Sequence, residues 1–269
     1  MRKETSRLLI AKIRAIELRH TLAAPESAGF KNGRAVSTGW PEIDSVLEGG
    51  LLGGALHEWF GPESIREPGD VSWAPPVCIP LHLAWRALET GCVPLWLVWV
   101  GRRCFPYPGV LVREDGRDRR MLERSIFVSP RDTAKRLWAM DLALRCPAVG
   151  VVIADGSRFD MAATRRVQLV AKTHDTLALL VRPPWERAGL SAAQTRWQVT
   201  WEPRADCHAN PRWSVELLRC KGVQPAKARG RWVLEWDHAS STMRLSAQVA
   251  HPAGAAKTSQ RSLGGTAYA

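Results

Sequence analysis

The residues able to carry catalysis are present in this chain, but not in the spacings that catalysis requires. Seven histidines (His20, His57, His82, His174, His208, His238 and His251) include no His-Glu-x-x-His pair, so the helical zinc-hydrolase arrangement is absent. Six cysteines (Cys78, Cys92, Cys104, Cys146, Cys207 and Cys220) include no Cys-x-x-Cys pair. That spacing argues for reduced thiols in a cytoplasmic protein and against a zinc site or a disulfide framework. No Gly-x-Ser-x-Gly turn offers a nucleophile, and no Gly-Lys dipeptide offers a phosphate loop. What stands out instead is arginine and tryptophan. The 38 Lys and Arg outnumber 26 acids, for a net charge of +12. Residues 1–34 carry +5, residues 196–269 carry +6, and the middle of the chain is nearly neutral. Basic ends suit nucleic acid or an acidic partner, or simply a solvated surface. Thirteen tryptophans are several times the usual share. Most follow apolar periodicity and belong in a core; Trp185 and Trp197 flank a basic loop, where stacking on a base competes with core packing.

The elements that must position these groups alternate in type. The 269 residues, 45% apolar and 24% charged, suit a soluble globular chain of one large domain or two small ones. The longest apolar run, Val93 to Val100, is too short to span a bilayer, and charges interrupt the N-terminus too often for a signal peptide. Residues 5–22 read as an amphipathic helix with Leu9, Ile13 and Ile16 on one face. That face can pack on the chain's own core, on a second copy, or on a partner protein. Pro25 ends the helix, and a polar linker runs to Arg34. Beyond it the spacing predicts helices at Trp40–Leu47, Val77–Glu89, Asp132–Arg145 and Asp160–Thr173. Between them it predicts strands at Ala55–Phe60, Pro94–Val100, Ile126–Val128, Gly150–Ala154 and Thr176–Val181. Such alternation predicts an α/β fold with a mainly parallel sheet flanked by helices. After Pro183, residues 195–202, 212–220 and 231–237 alternate apolar and polar as antiparallel strands extending the C-terminal end of that sheet. The organisation expected is an N-terminal helix and linker (1–34), an α/β core (35–248) and a disordered basic tail (249–269).

One long segment carries more information than any single motif. Val36 to Ser64 reads VSTGWPEIDSVLEGGLLGGALHEWFGPES. The order Ser-Thr-Gly, short helix, paired glycines, strand, Gly-Pro-Glu-Ser resembles the entry to the nucleotide-binding core of RecA-family proteins. The resemblance implies a phosphate loop next, and the chain departs from it. Counted from Gly61, the second glycine falls at Arg66, the lysine at Glu67 and the Ser or Thr at Pro68. Arginine is too large for the turn, glutamate repels phosphate, and proline has neither N–H nor hydroxyl. The catalytic glutamate that the family carries after its next strand is replaced by Gly101 to Arg103. The family's magnesium-binding strand survives as VGVVIADG, ending in Asp155. Gly61, Pro62, Glu63, Ser64 and Asp155 are thus the remnant of a nucleotide seat, and Asp155 equally suits a strand-end cap. The resemblance implies no enzyme, no ATP and no metal.

Further on, TRRVQLVAKTHDTLALLVRPPWERAGLSAAQTRWQV and PRWSVELLRCKGVQPAKARGRWVLEWD resemble the ImuA family, RecA-like accessory factors of bacterial mutagenic repair. The resemblance covers about residues 36–238. It implies a cytoplasmic, non-catalytic scaffold in SOS-induced translesion synthesis. Its implied partners are a polymerase-like ImuB-type protein, an error-prone polymerase, RecA and DNA, with self-association open and no membrane contact. RecA proteins bind DNA through loops that match Ser157 to Ala163 and Pro183 to Ala193 here. Arg158, Arg165, Arg166, Arg182 and Arg187 lie in or beside them and are the implied phosphate contacts; a solvated face, or ion pairs with Asp160 and Glu186, would account for them as well. Arg219 and Lys221 align near a motif that reaches a neighbour's nucleotide in RecA filaments. The alternatives weighed are a working ATPase, a SulA-like inhibitor of cell division, and a degenerate RecA paralogue that supports an active ATPase.

Overall fold

The computed structural model describes residues 10–16, 35–65, 71–90, 96–113, 116–203, 210–223, 230–237 and 242–249. The helix predicted over residues 5–22 is described over residues 10–16 (α1); its remaining residues, Leu9 among them, the linker up to residue 34 and the tail from residue 250 lie outside the described residues.

Among the described residues a nine-stranded sheet organises the chain. Its strands are β3 (Leu56–Phe60), β6 (Trp96–Val100), β7 (Ser125–Val128), β8 (Val149–Asp155), β9 (Leu177–Arg182), β10 (Thr195–Glu202), β11 (Arg212–Cys220), β12 (Arg231–Asp237) and β13 (Thr242–Val249). Their order is β13-β12-β11-β10-β3-β9-β8-β6-β7. From β10 to β7 every pairing is parallel; β10 through β13 are antiparallel. The predicted architecture, a mainly parallel sheet flanked by helices with antiparallel strands at the C-terminal end, is the one found.

Side-chain alternation divides the core in two. Leu97, Trp99, Val151, Ile153, Leu177 and Leu179 face one side, with α2 (Pro41–Val46) and α3 (Cys78–Thr90). Val98, Val100, Val152, Ala154, Ala178 and Leu180 face the other, with α1, α5 (Thr133–Leu144) and α6 (Met161–His174). Strands buried on both faces need apolar residues at every position, which is why β8 and β9 read as unbroken hydrophobic runs. A one-turn helix, α4 (Arg120–Glu123), precedes β7. Asp132 and Asp160 cap α5 and α6, each accepting a backbone N–H at 2.8 Å, from Lys135 and Ala163.

Trp40, Trp59, Trp85, Trp99, Trp197 and Trp232 are fully buried, so the tryptophan excess is mostly core. The described cysteines Cys78, Cys104, Cys146 and Cys220 form no disulfide. Among the described residues, no cluster of His, Cys, Asp or Glu is placed to hold a metal ion, and no helix is long and apolar enough to cross a membrane.

The Ser-Thr-Gly entry is a brace. Asp44 accepts from Ser37 Oγ (2.7 Å), the Thr38 N–H (2.8 Å) and Thr38 Oγ1 (2.7 Å), tying the turn to α2. Gly50, at φ +127°, lets β2 (Leu51–Leu52) approach β1 (Ala35–Val36); a Cβ there would lie 2.2 Å from the Val36 carbonyl oxygen.

Candidate nucleic-acid interface

In a parallel sheet the loops after the strands collect at the carboxyl edge, where such folds bind their ligands. Here the loops after β7, β6, β8, β9 and β3 do so, in that spatial order.

The loop after β3 holds the nucleotide remnant. Gly61 N–H donates to the Arg182 carbonyl at 3.0 Å, and a Cβ on Gly61 would lie 2.1 Å from the Ala74 carbonyl oxygen. The Pro62 carbonyl accepts from Ala74 N–H at 3.1 Å. Glu63 and Ser64 belong to β4 (Glu63–Ile65), which pairs antiparallel with β5 (Val71–Trp73) as a small hairpin. Gly61 to Ser64 therefore lead into a hairpin, and α3 begins only at Cys78. A helix start binds phosphate through free amide hydrogens. At this one Pro75, Pro76 and Pro80 have none, and the amides of Val77 and Ile79 are bonded to the carbonyls of Pro75 and Pro76.

Asp155 is buried at the end of β8. Its Oδ1 accepts the Ser157 N–H (3.0 Å) and hydroxyl (2.5 Å), closing the strand-end turn. Its Oδ2 lies 3.5 Å from Arg136 Nη1 and 3.7 Å from Arg103 Nη1. The strand-end cap that the sequence permits is the arrangement found.

The five arginines of the implied DNA loops divide sharply. Arg182 must be withdrawn from the set, because its side chain is 4% exposed and is occupied inside the fold. Its Nη1 donates to Glu58 Oε1 at 2.6 Å, and its Nη2 donates to Glu186 Oε2 and the Phe159 carbonyl, each at 2.7 Å. Arg166 is exposed but bonded to Asp141 at 2.9 Å, which Arg145 also contacts. Arg158, Arg165 and Arg187 are exposed. Arg158 sits at φ +66°, and its N–H donates to Glu186 Oε1 at 2.8 Å. Glu186 thus ties the loop after β8 to the loop after β9 and sets Arg158 near Arg187. Trp185, half exposed, shares that loop, whereas Trp197 is buried.

The Ser-Ala-Ala-x-Thr-Arg-Trp motif proves to be an internal cross-brace. Ser191 Oγ donates to Glu58 Oε1 (2.8 Å), Arg196 Nε donates to Glu58 Oε2 (2.7 Å), and Trp197 enters the core. Thr195 Oγ1 accepts from Trp197 Nε1 (2.7 Å) and lies 2.8 Å from His57 Nδ1. His57 Nε2 meets the Leu52 carbonyl at 3.0 Å, so the proton is assigned to Nε2 and the Thr195 hydroxyl donates to Nδ1. Burial lowers the His57 pKa to about 4, so the ring is neutral. Arg219 and Lys221 donate to the carbonyls of Ser191, Ala193 and Ala192, bracing their own chain. Burial lowers the pKa of both.

On the opposite side of the molecule from α3, Ile13 and Ile16 are turned inward and buried in the chain's own core, which occupies the face considered for a partner.

The sequence reading passed over a second group of arginines at this edge. Arg102 and Arg103 follow β6, Arg131 follows β7, and Arg136 is on α5. With Ser129 and Asp155 they line one cleft of about 450 Å³. Their sequence signal is Gly-Arg-Arg directly after a strand.

No family model matches the chain. Two curated relatives do: protein ImuA of Caulobacter vibrioides strain NA1000 and protein ImuA of its strain ATCC 19089. Each is 32% identical over 249 residues, an alignment spanning 84% of this chain and 95% of the relative. At that identity and coverage the chain belongs to the ImuA family.

Proposed function

We propose that this chain is a non-catalytic accessory factor in SOS-induced, error-prone translesion synthesis. In this reading it works in the cytoplasm, binds a polymerase-like ImuB-type protein, and helps bring an error-prone polymerase to damaged DNA. Contact with RecA and self-association are compatible with the role. Membership of the ImuA family is the observation that carries the reading.

The carboxyl edge supports it in two ways. Phosphoryl transfer depends on backbone amides and a lysine around the β- and γ-phosphates. The loop after β3 has glutamate at the lysine position, and three prolines leave the start of α3 poor in free amides. These features argue against ATP as a cofactor. The same edge presents Arg158 and Arg187 to solvent beside the half-exposed Trp185, a combination suited to phosphate contact with a stacking base, while Arg165 lines a groove along α6 with Arg145 and Arg166.

The test is the frequency of mutations induced by ultraviolet light in the source organism. A strain lacking this chain is expected to fall to the uninduced frequency, and the restored gene to recover the induced one. Induced mutagenesis that persists at the parental frequency in the deleted strain would refute the role. So would a deletion whose only effect is on cell division after damage.

A further inference from the structure

Several arginines on the described surface are matched by acids. Arg86 and Arg113 meet Glu89, Arg120 meets Asp118, Arg145 and Arg166 meet Asp141, Arg212 meets Glu235, and Arg231 meets Glu202. The cleft between the loops after β6 and β7 gathers arginines around a single carboxylate. Four guanidinium groups line it, from Arg102, Arg103, Arg131 and Arg136, and one carboxylate, Asp155. That carboxylate spends Oδ1 on Ser157, and its remaining oxygen stands 3.5 Å and 3.7 Å from Arg136 and Arg103. Arg102 reaches only a hydroxyl, Ser129 Oγ at 3.1 Å. Arg102, Arg103 and Arg131 are exposed. The cleft therefore holds unspent positive charge in a concave setting, where field lines concentrate.

We propose that this cleft is a phosphate-binding site for the backbone of a single-stranded nucleic acid, with Arg102, Arg103 and Arg131 as the contacting groups. Guanidinium forks match phosphate oxygens in geometry as well as charge. Arg136 serves as a positioning residue. Its Nη2 holds the Ser157 carbonyl at 2.6 Å, fixing the wall that separates the cleft from the loop after β8. A linear polyanion fits better than a free anion because the charge continues along the edge. β7, β6, β8 and β9 are consecutive in the sheet. At ~4.8 Å per strand, their loops lie within ~15 Å. A strand seated on Arg131 and Arg102 would run toward Arg158 and Arg187. The proposal rests on the reading of this chain as a factor that acts at DNA, and it adds a site on two loops other than those the resemblance implies for DNA.

The experiment is fluorescence anisotropy of labelled oligo-dT with the full chain, over a salt series. The Arg102→Ser/Arg131→Ser variant is expected to bind at least tenfold more weakly at low salt. The slope of log K against log salt should fall by ~1.4, since each phosphate of a single strand that is no longer neutralised lowers it by ~0.7. Its melting temperature should match the parent's, since both side chains are exposed and neither forms an ion pair among the described residues. A variant with the parent's affinity and slope would overturn the proposal. So would a parent chain that binds inorganic pyrophosphate in the cleft but no oligonucleotide. Either failure concerns the cleft alone, because the mutation frequency of the deleted strain is read without reference to it.

Discussion

Replacing Glu58 with alanine is expected to destabilise the chain by about 3–5 kcal/mol, the usual loss when one member of a buried ion pair is removed. Glu58 is fully buried on β3. Its two oxygens receive Arg182, Arg196 and Ser191 at 2.6–2.8 Å. In Glu58→Ala, Arg182 keeps Glu186, but Arg196 loses the carboxylate that balances it. It would be left against the Phe60 ring, 4.9 Å from the guanidinium, and near the like charge of Arg219. For a core of this size the melting temperature should fall by about 10 °C. The double variant Glu58→Met/Arg196→Met removes the uncompensated charge with its partner and should recover most of the loss. Thermal unfolding followed by circular dichroism checks both. If the double variant were no better than Glu58→Ala, the loss would be one of packing and not of charge compensation.

Trp197→Ala should cost a comparable amount, about 3–5 kcal/mol, because it empties the centre of one core layer. The Trp197 ring stacks on Trp59 at 4.9 Å between centroids and 7° between planes, and it meets Trp232 at 6.1 Å. Its indole N–H also anchors Thr195, and through it His57. Trp185→Ala, by contrast, removes a ring that is 49% exposed and should change stability by no more than about 0.5 kcal/mol. Urea unfolding midpoints compare the two. Equal midpoints would contradict the assignment of Trp197 to the core and Trp185 to the surface.

The contrast shows what a one-dimensional reading can reach. The parallel sheet was legible because strands buried on both faces carry uncharged, mostly aliphatic residues on both sides, as at residues 149–154 and 177–181. Helix starts were legible where a capping aspartate stood at the boundary, as at Asp132. Less visible was β13. Its Met243 and Leu245 do alternate with polar residues, but the strand lies beyond the last strong tryptophan pattern. The hairpin of β4 and β5 was hidden by the expectation of a phosphate loop at the same place.

At the candidate site the limit was partner identity. Arg182 and Arg187 are five residues apart and equally basic, yet one is buried against Glu58 and the other is solvated. Glu58 is 124 residues from Arg182 in sequence, so nothing local distinguishes them. Ser191 to Trp197 was informative as a family signature. Its physical role, bracing β3 through Glu58, emerges only when β3 and β10 are neighbours. The arginines of the cleft come from separate loops and a helix, and they converge only at the carboxyl edge.

In the proposed role this chain acts through contacts and not through chemistry. Affinity capture of the full chain from cells of the source organism after DNA damage, read by mass spectrometry, tests it most directly. A polymerase-like protein should be recovered, with yield unchanged when ATP is depleted. Recovery of a cell-division GTPase without any polymerase, or capture that requires ATP hydrolysis by this chain, would contradict it.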